Sequence, residues 1–453
     1  MTNIGSFRVG RRHGVVLLAI LLILQLFAVA YFYSFFQQYG YLPSPFIDDK
    51  SNTFMDLFNT MFWAGRVGGY EIWKSVYPPL VFIILDVVRA LLVPSFTYNT
   101  GTALRAGGYN VEIALVIAYC VLPALALCLR TWADFSLKER LLLYLAAVSS
   151  IPFLFALERG NLILLVTPLL TLLLGKSVRL RVLSLLLLIN IKPYFGILLL
   201  GYVARKDWDE LLIAVLVTGA TYLATAAMID VNFTSMLLNL VGFSQNANVF
   251  ALRDIFSLPS SVSAFSAVLS APRFIYSRYS TGWLNPLWLA GVINICKWGI
   301  IGWALTALLR AGRGVNIEVA FVVLIIVTTN IGIAAGGYSL IFYFALIPTL
   351  KNMRYAPMYF LMLAAIYVPL DPLFPLVRNN IGTQISFLAG HAVDVQWTVG
   401  LVTALRPWFN LLLLAAVAFE LSGLRRQTVR CAVQLHEHHA KGVLNLTGDP
   451  DVN

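Results

Sequence analysis

Apolar runs long enough to cross a bilayer recur along this chain from residue 14 to residue 421, and the basic residues cluster in the short gaps between them. About 20 consecutive apolar residues span the hydrocarbon of a membrane as a helix. A soluble core of this size has no room for so many such runs. Only 12% of the 453 residues are DEKR, while AVILMFWYC make up 59%, against roughly 25% charged residues in soluble domains. The chain therefore reads as an all-α polytopic membrane protein, with one integral membrane domain over residues 1–421 and a polar cytoplasmic tail over 422–453. Its net charge of +11 falls in the gaps between apolar runs, which makes it an orientation signal, and no nucleic acid is expected as a partner. Cys120, Cys128, Cys296 and Cys431 show no CxxC spacing, so neither a disulfide scaffold nor a zinc site is expected.

The first run, about 14–38, follows Arg8, Arg11 and Arg12, which places the N-terminus in the cytoplasm as an uncleaved anchor. Further runs lie at about 111–129, 141–157, 161–175, 210–229, 286–309, 317–350, 356–370 and 397–421. Residues 77–93 are nearly long enough to span, but a span there would move Arg130, Lys138 and Arg140 outside. A helix lying in the interface, with Asp86 and Arg89 three apart on one face, keeps them inside. Residues 179–204 have basic residues at both ends and Lys192-Pro193 in the middle. As a single span they would bury a lysine at a cost of about 2.5–3.5 kcal/mol, so two short helices with a tip at Lys192-Pro193 are expected. Splitting 317–350 at Gly336-Gly337 gives about twelve transmembrane helices with both termini inside. Most of the 32 Lys and Arg then sit in short cytoplasmic connections. Three long loops, 39–110, 230–285 and 371–396, face outward from the cell membrane, and loops of that length commonly carry function.

The first long loop holds three carboxylates, Asp48, Asp49 and Asp56, then an amphipathic stretch Phe54–Ala64 and Tyr77-Pro78-Pro79. A carboxylate at the membrane surface lies in the plane of a lipid-linked substrate, where it can take the proton of an acceptor hydroxyl. Capping a helix is the alternative role for each of the three. Lys192 and Arg159, the latter in Glu158-Arg159-Gly160-Asn161, approach the same face from apolar surroundings. A fixed cation there would stabilise the charge developing on a departing phosphate; for Arg159 a salt bridge to Glu158 is equally open. In the second loop Gln245, Asn246, Asn248 and Arg253 offer hydrogen bonds to sugar hydroxyls and phosphate oxygens, or simply form turns. His391 reads as a solvated loop histidine. His436, Glu437, His438 and His439 in the tail lack a second ligand cluster, so no metal is expected there. No GxxxxGK[ST], no GxGxxG after a strand, no HExxH and no GxSxG is present, which removes support for a nucleotide-sugar enzyme or an ATP-driven pump.

Taken in order, Asp56-Leu57, Tyr77-Pro78-Pro79-Leu80, Arg159-Gly160-Asn161, Lys192-Pro193 and the Gln245-Asn246 region resemble glycosyltransferase family 87, over about residues 14–350. That family belongs to the C-type (GT-C) fold of membrane glycosyltransferases. The resemblance implies a mannosyltransferase-like enzyme with a polyprenyl-phosphate sugar donor, typically mannose. It implies a glycolipid or polysaccharide acceptor at the outer face and an acidic first-loop residue acting on that acceptor. Asp56 matches this acid best, with Asp48 and Asp49 as alternates. Lys192, Arg159, Asn161, Tyr77, Asn246 and Arg253 would bind substrate. The family often has Gly-Gln where this chain has Gly160-Asn161, and a Trp/His-rich element where it has Gly336-Gly337-Tyr338-Ser339. A lipid phosphate is already a competent leaving group, so no cofactor is expected, although a carboxylate pair is able to hold a metal. The rival functions are a polysaccharide polymerase or ligase and a lipid-linked sugar flippase. A flippase should carry ionisable residues at mid-membrane in broken helices, whereas the carboxylates here collect in one loop.

Overall fold

The computed structural model describes residues 11–43, 46, 51–93, 97–232, 234–245, 286–331, 337–368 and 373–444. It is mostly helical. The first run forms a 29-residue helix, α1 (Arg11–Tyr39). The first long loop folds into three helices: α2 (Met55–Ala64), α3 (Pro79–Leu92) and α4 (Gly101–Gly107). Pro79 opens α3, where its fixed φ suits a first turn, and Asp86 pairs with Arg89 at 2.6 Å along the helix as the spacing predicts. Buried Val81, Phe82 and Leu85 face the protein, and exposed Val87 and Leu91 face away.

Among the described residues, four helices are long and apolar enough to cross a membrane: Tyr109–Cys128 (α5), Trp208–Met228, Val292–Gly314 and Leu401–Gly423. A bent pair, α6 (Leu137–Val148) and α7 (Ile151–Arg159), makes a fifth if counted as one span. The run at 141–157 is thus not straight: it bends by 54° where Ser149-Ser150 precede Pro152, which cannot donate to the preceding turn. Leu162–Leu173, Ile317–Ile331, Tyr338–Leu350 and Ala356–Tyr367 are apolar but only 10–17 residues long.

The stretch at 179–204 breaks where Lys192-Pro193 predicts. Helix α8 (Val166–Leu173) leads to α9 (Val178–Ile191), which ends at Lys192; a 3₁₀ turn over Pro193–Leu199 then leads into α10 (Leu200–Arg205). The two arms return to one end. In α9 Arg181 pairs with Glu210 (3.4 Å) of α11 (Trp208–Met228) and with Glu318 (3.6 Å). At the foot of α10 Arg205 pairs with Asp207 at 2.7 Å, and Arg313 donates to the carbonyls of Arg205 and Lys206. Thr131 joins the same end through Thr171, beside the Gly175 carbonyl that Arg181 also binds. The basic connections therefore gather opposite Lys192, about 21 Å away along the 14 residues of α9.

After α12 (Ser235–Gln245) and α13 (Pro286–Ala311), the centre of the protein is α14 (Ile317–Ile331). Ala320 through Val327 have no exposed surface at all, as expected of a helix apolar on every face. It packs among α10, α13, α15 (Phe342–Leu350) and α17 (Leu401–Leu444). A buried polar knot ties these together: Asn410 Oδ1 accepts from Asn330 (3.0 Å), Thr329 (3.2 Å) and Tyr343. Arg406, fully buried in α17, donates to the carbonyls of Ile366 and Val368, capping the C-terminus of α16 (Ala356–Tyr367). Helix α17 runs without interruption past residue 421 to Leu444, so the polar tail begins within a helix.

The third long loop corrects the all-helical expectation. It forms an antiparallel hairpin of β1 (Leu373–Ile385) and β2 (Ala392–Gly400), with an irregular register between Pro375 and Gly382. Pro cannot donate to a ladder, and glycine marks bulges.

Candidate active site

The site is built from five segments that the helices bring to the end opposite the basic cluster. Helix α7 stops at Gly160, whose φ of +63° and paired bonds (Asn161 N to Ala156 O, Gly160 N to Leu157 O) make a left-handed helix ending. A Cβ at Gly160 would stand 2.9 Å from the Phe54 carbonyl oxygen. Only glycine lets the start of α2 come this close. Phe54 itself is left-handed (φ 64°), and its amide donates to the Glu158 carbonyl at 2.7 Å. The last turn of α7 and the first turn of α2 are thereby locked together.

This lock sets Asp56, in the first turn of α2, against Arg159 and Asn161. Arg159 Nη2 donates to Asp56 Oδ1, and Asn161 Nδ2 donates to Oδ2 at 2.7 Å. The Asn161 side-chain Oδ1 in turn accepts from the Ile163 backbone amide at 3.0 Å, so its side-chain amide points one way only. The salt bridge open between Arg159 and Glu158 is not the one formed: Arg159 pairs with Asp56, and Glu158 accepts from Thr53 at 3.2 Å. Asp56 is 17% and Arg159 11% exposed at the side chain. Each carboxylate oxygen uses one lone pair on these donors and keeps a second for another partner.

Lys192 enters from the tip between α9 and the 3₁₀ turn. Its Nζ lies 3.2 Å from Tyr77 Oη and 4.3 Å from the centre of that ring. Tyr77 precedes Pro78, the residue that caps α3. Burial first, and then the Asp56 charge, push the Tyr77 phenol well above its usual value, so it stays a protonated hydroxyl at neutral pH. Tyr338, within electrostatic reach of Asp56, Lys192, Tyr77 and Arg159, completes the group. Its ring packs 5.6 Å from Phe155 of α7. Sequence reasoning did not select Tyr338; the signal available was its place at a Gly-Gly break in an apolar run.

The structure thus brings together Asp56, Arg159, Asn161, Tyr77 and Lys192. Asp48, Asp49, Asn246 and Arg253 lie outside the described residues. His391 is an exposed turn residue, with Nδ1 3.0 Å from the Ala389 carbonyl. Among the described residues, no three His, Cys, Asp or Glu side chains gather as a metal site would require. The arrangement pairs an oriented carboxylate with a separate lysine and phenol, which suits proton removal at one point and phosphate binding at another. In comparisons with known proteins, no family model, curated protein or solved structure matches the chain.

Proposed function

We propose that this chain is a C-type membrane glycosyltransferase related in kind to family 87, passing a sugar, mannose or another hexose, from a polyprenyl phosphate to a glycolipid or polysaccharide acceptor. The observation that carries the reading is the convergence of Asp56 with Arg159 and Asn161, 103 and 105 residues away in sequence, beside the Lys192–Tyr77 pair. In this reading Asp56 takes the proton of the acceptor hydroxyl as its oxygen attacks the anomeric carbon. The bond from that carbon to the phosphate oxygen breaks, and Lys192 and the Tyr77 hydroxyl meet the charge left on the lipid phosphate. Arg159 and Asn161 hold the carboxylate in line, an orientation effect that commonly outweighs a single contact.

The twelve-pass arrangement belongs to the same proposal, with the short apolar helices as partial spans and the Asp56 end outside. A flippase reading draws on the 54° break between α6 and α7 but leaves the Asp56–Arg159–Asn161 grouping at one end of the helices without a task. The deciding experiment incubates the purified protein with a panel of labelled polyprenyl-phosphate sugars and membrane extract. A glycosylated product formed by the wild type and lost in Asp56→Asn supports the reading. Labelled donor moved across vesicle membranes without any product replaces it with transport.

A further inference from the structure

The tip of the β-hairpin sits on the segment that launches α2. Ser386 Oγ donates to the Gly40 carbonyl at 2.6 Å, and the tip closes on itself through Ser386 N to His391 O (3.0 Å) and Gly390 N to Ser386 O (2.8 Å). Gly40 has φ +74°, and a Cβ there would stand 2.8 Å from Val393 Cγ1, so the end of α1 and the hairpin are in close contact. From this clasp the Phe387 ring reaches two residues of the first loop. It lies 3.9 Å from the Arg105 guanidinium and 6.0 Å, edge on, from the Phe54 ring.

Both contacts bear on the same short stretch of backbone. Arg105, buried at the side of α4, donates to the carbonyls of Ser51 (2.7 Å) and Thr53. Phe54 is the left-handed residue from which α2 departs, two positions before Asp56. A non-glycine residue is strained in that conformation and persists only where its surroundings over-determine it. Here the surroundings are the Glu158 carbonyl on one side and the Phe387–Arg105 pair on the other.

We propose that Phe387 is a positioning residue for Asp56: clasped to the end of α1, it holds Arg105 and Phe54 and so fixes the point from which α2 carries the carboxylate to Arg159 and Asn161. The inference rests on Asp56 being the base of the proposed transfer, and it gives the hairpin a part in that site that its distance in sequence conceals. A cation over a ring in a desolvated setting contributes about as much as a tenfold equilibrium change.

The test uses the full chain purified in detergent, with Phe387→Ala, Phe387→Leu and Phe387→Tyr. Backbone hydrogen exchange of the peptide covering residues 52–58 should quicken about tenfold in Phe387→Ala and Phe387→Leu and return to the wild-type rate in Phe387→Tyr, with helices α14 and α17 unaffected. Turnover should fall about tenfold with the donor KM unchanged, and Phe387→Tyr should restore it. If Phe387→Ala does not fold, the leucine variant carries both measurements. Unchanged exchange at 52–58, or exchange quickened equally throughout the protein, overturns the proposal. A wild type that transfers no sugar from any donor removes the transferase reading, and the exchange result then judges the clasp alone.

Discussion

Arg159 and Asp56 form an ion pair across 103 residues of sequence, with neither side chain more than 17% exposed. A pair this shielded differs from a surface salt bridge, since removing one partner leaves the other charge poorly solvated. Arg159→Met should therefore lower unfolding stability by about 1–3 kcal/mol, whereas Arg159→Lys, which keeps the charge but loses the planar fork, should lose less. Thermal unfolding in detergent distinguishes the two, and equal losses would show that the charge contributes nothing.

Asp56→Asn tests the proton transfer more directly than stability does. Asparagine keeps the shape and one acceptor oxygen but cannot take a proton at neutral pH. Loss of a general base typically costs about 10²–10⁴-fold in rate, so transfer should fall by that much while donor binding persists. Asp48→Asn and Asp49→Asn are matched controls. Activity retained in Asp56→Asn and lost in either control would move the base to that pair.

Lys192 and Tyr77 should separate by size of effect. Lys192→Ala removes the cation facing the donor phosphate, and donor use should weaken more than in Lys192→Arg. Tyr77→Phe keeps the ring under Lys192 and removes only the hydroxyl at 3.2 Å, so its loss should be smaller, about 0.5–1.5 kcal/mol of binding. Binding of labelled donor to the three purified variants ranks them. A larger loss in Tyr77→Phe than in Lys192→Ala would make the phenol the principal phosphate contact.

Much of this site was legible in the sequence because polar residues inside apolar runs are costly and therefore conspicuous. Lys192 and Arg159 stand out for that reason, and the Lys192-Pro193 break is where proline chemistry places it, while Asp56 is marked by its place among three carboxylates of the first long loop and Asn161 by the family resemblance alone. Their meeting was not legible, since it depends on Gly160 admitting the Phe54 backbone and on Asn161 having its amide fixed by Ile163. Tyr338 enters the sequence reading only within Gly336-Gly337-Tyr338-Ser339, a departure from the family pattern. Residues 371–396 read as an outer loop from the apolar runs and basic gaps around them, although Val393 and Val395, both buried, carry the period-two signal of a strand. Where a helix bends is not fixed by apolar character alone, as the 54° break between α6 and α7 inside one apolar run illustrates.

Gly160→Ala should damage the site without touching a charged group. The substitution forces a left-handed alanine and sets its Cβ 2.9 Å from the Phe54 oxygen and 3.1 Å from Leu57 Cβ. A loss of at least about 1–2 kcal/mol in stability is expected, together with reduced transfer as α2 shifts. Gly196→Ala is the control, since a Cβ there meets nothing within 4 Å. Equal behaviour of the two variants in thermal unfolding and turnover would mean that the close approach of α7 to α2 has no bearing on the site.

Orientation gives the last prediction, and it follows from the two ends of α9. Arg181 lies among Glu210, Glu318 and the residues around Arg205 and Arg313, while Lys192 joins Tyr77 and the long loops. Short basic connections stay in the cytoplasm, so the Arg181 end should be inside and the Asp56 end outside. In a background lacking the native cysteines, Val67→Cys, at an almost fully exposed position in the first long loop, should react with a membrane-impermeant thiol reagent in intact cells. Lys138→Cys, exposed at the start of α6, should react only after the cells are opened. The reverse pattern would place Asp56 in the cytoplasm, where the proposed acceptor would not be found, and labelling of both from outside would break the twelve-pass arrangement.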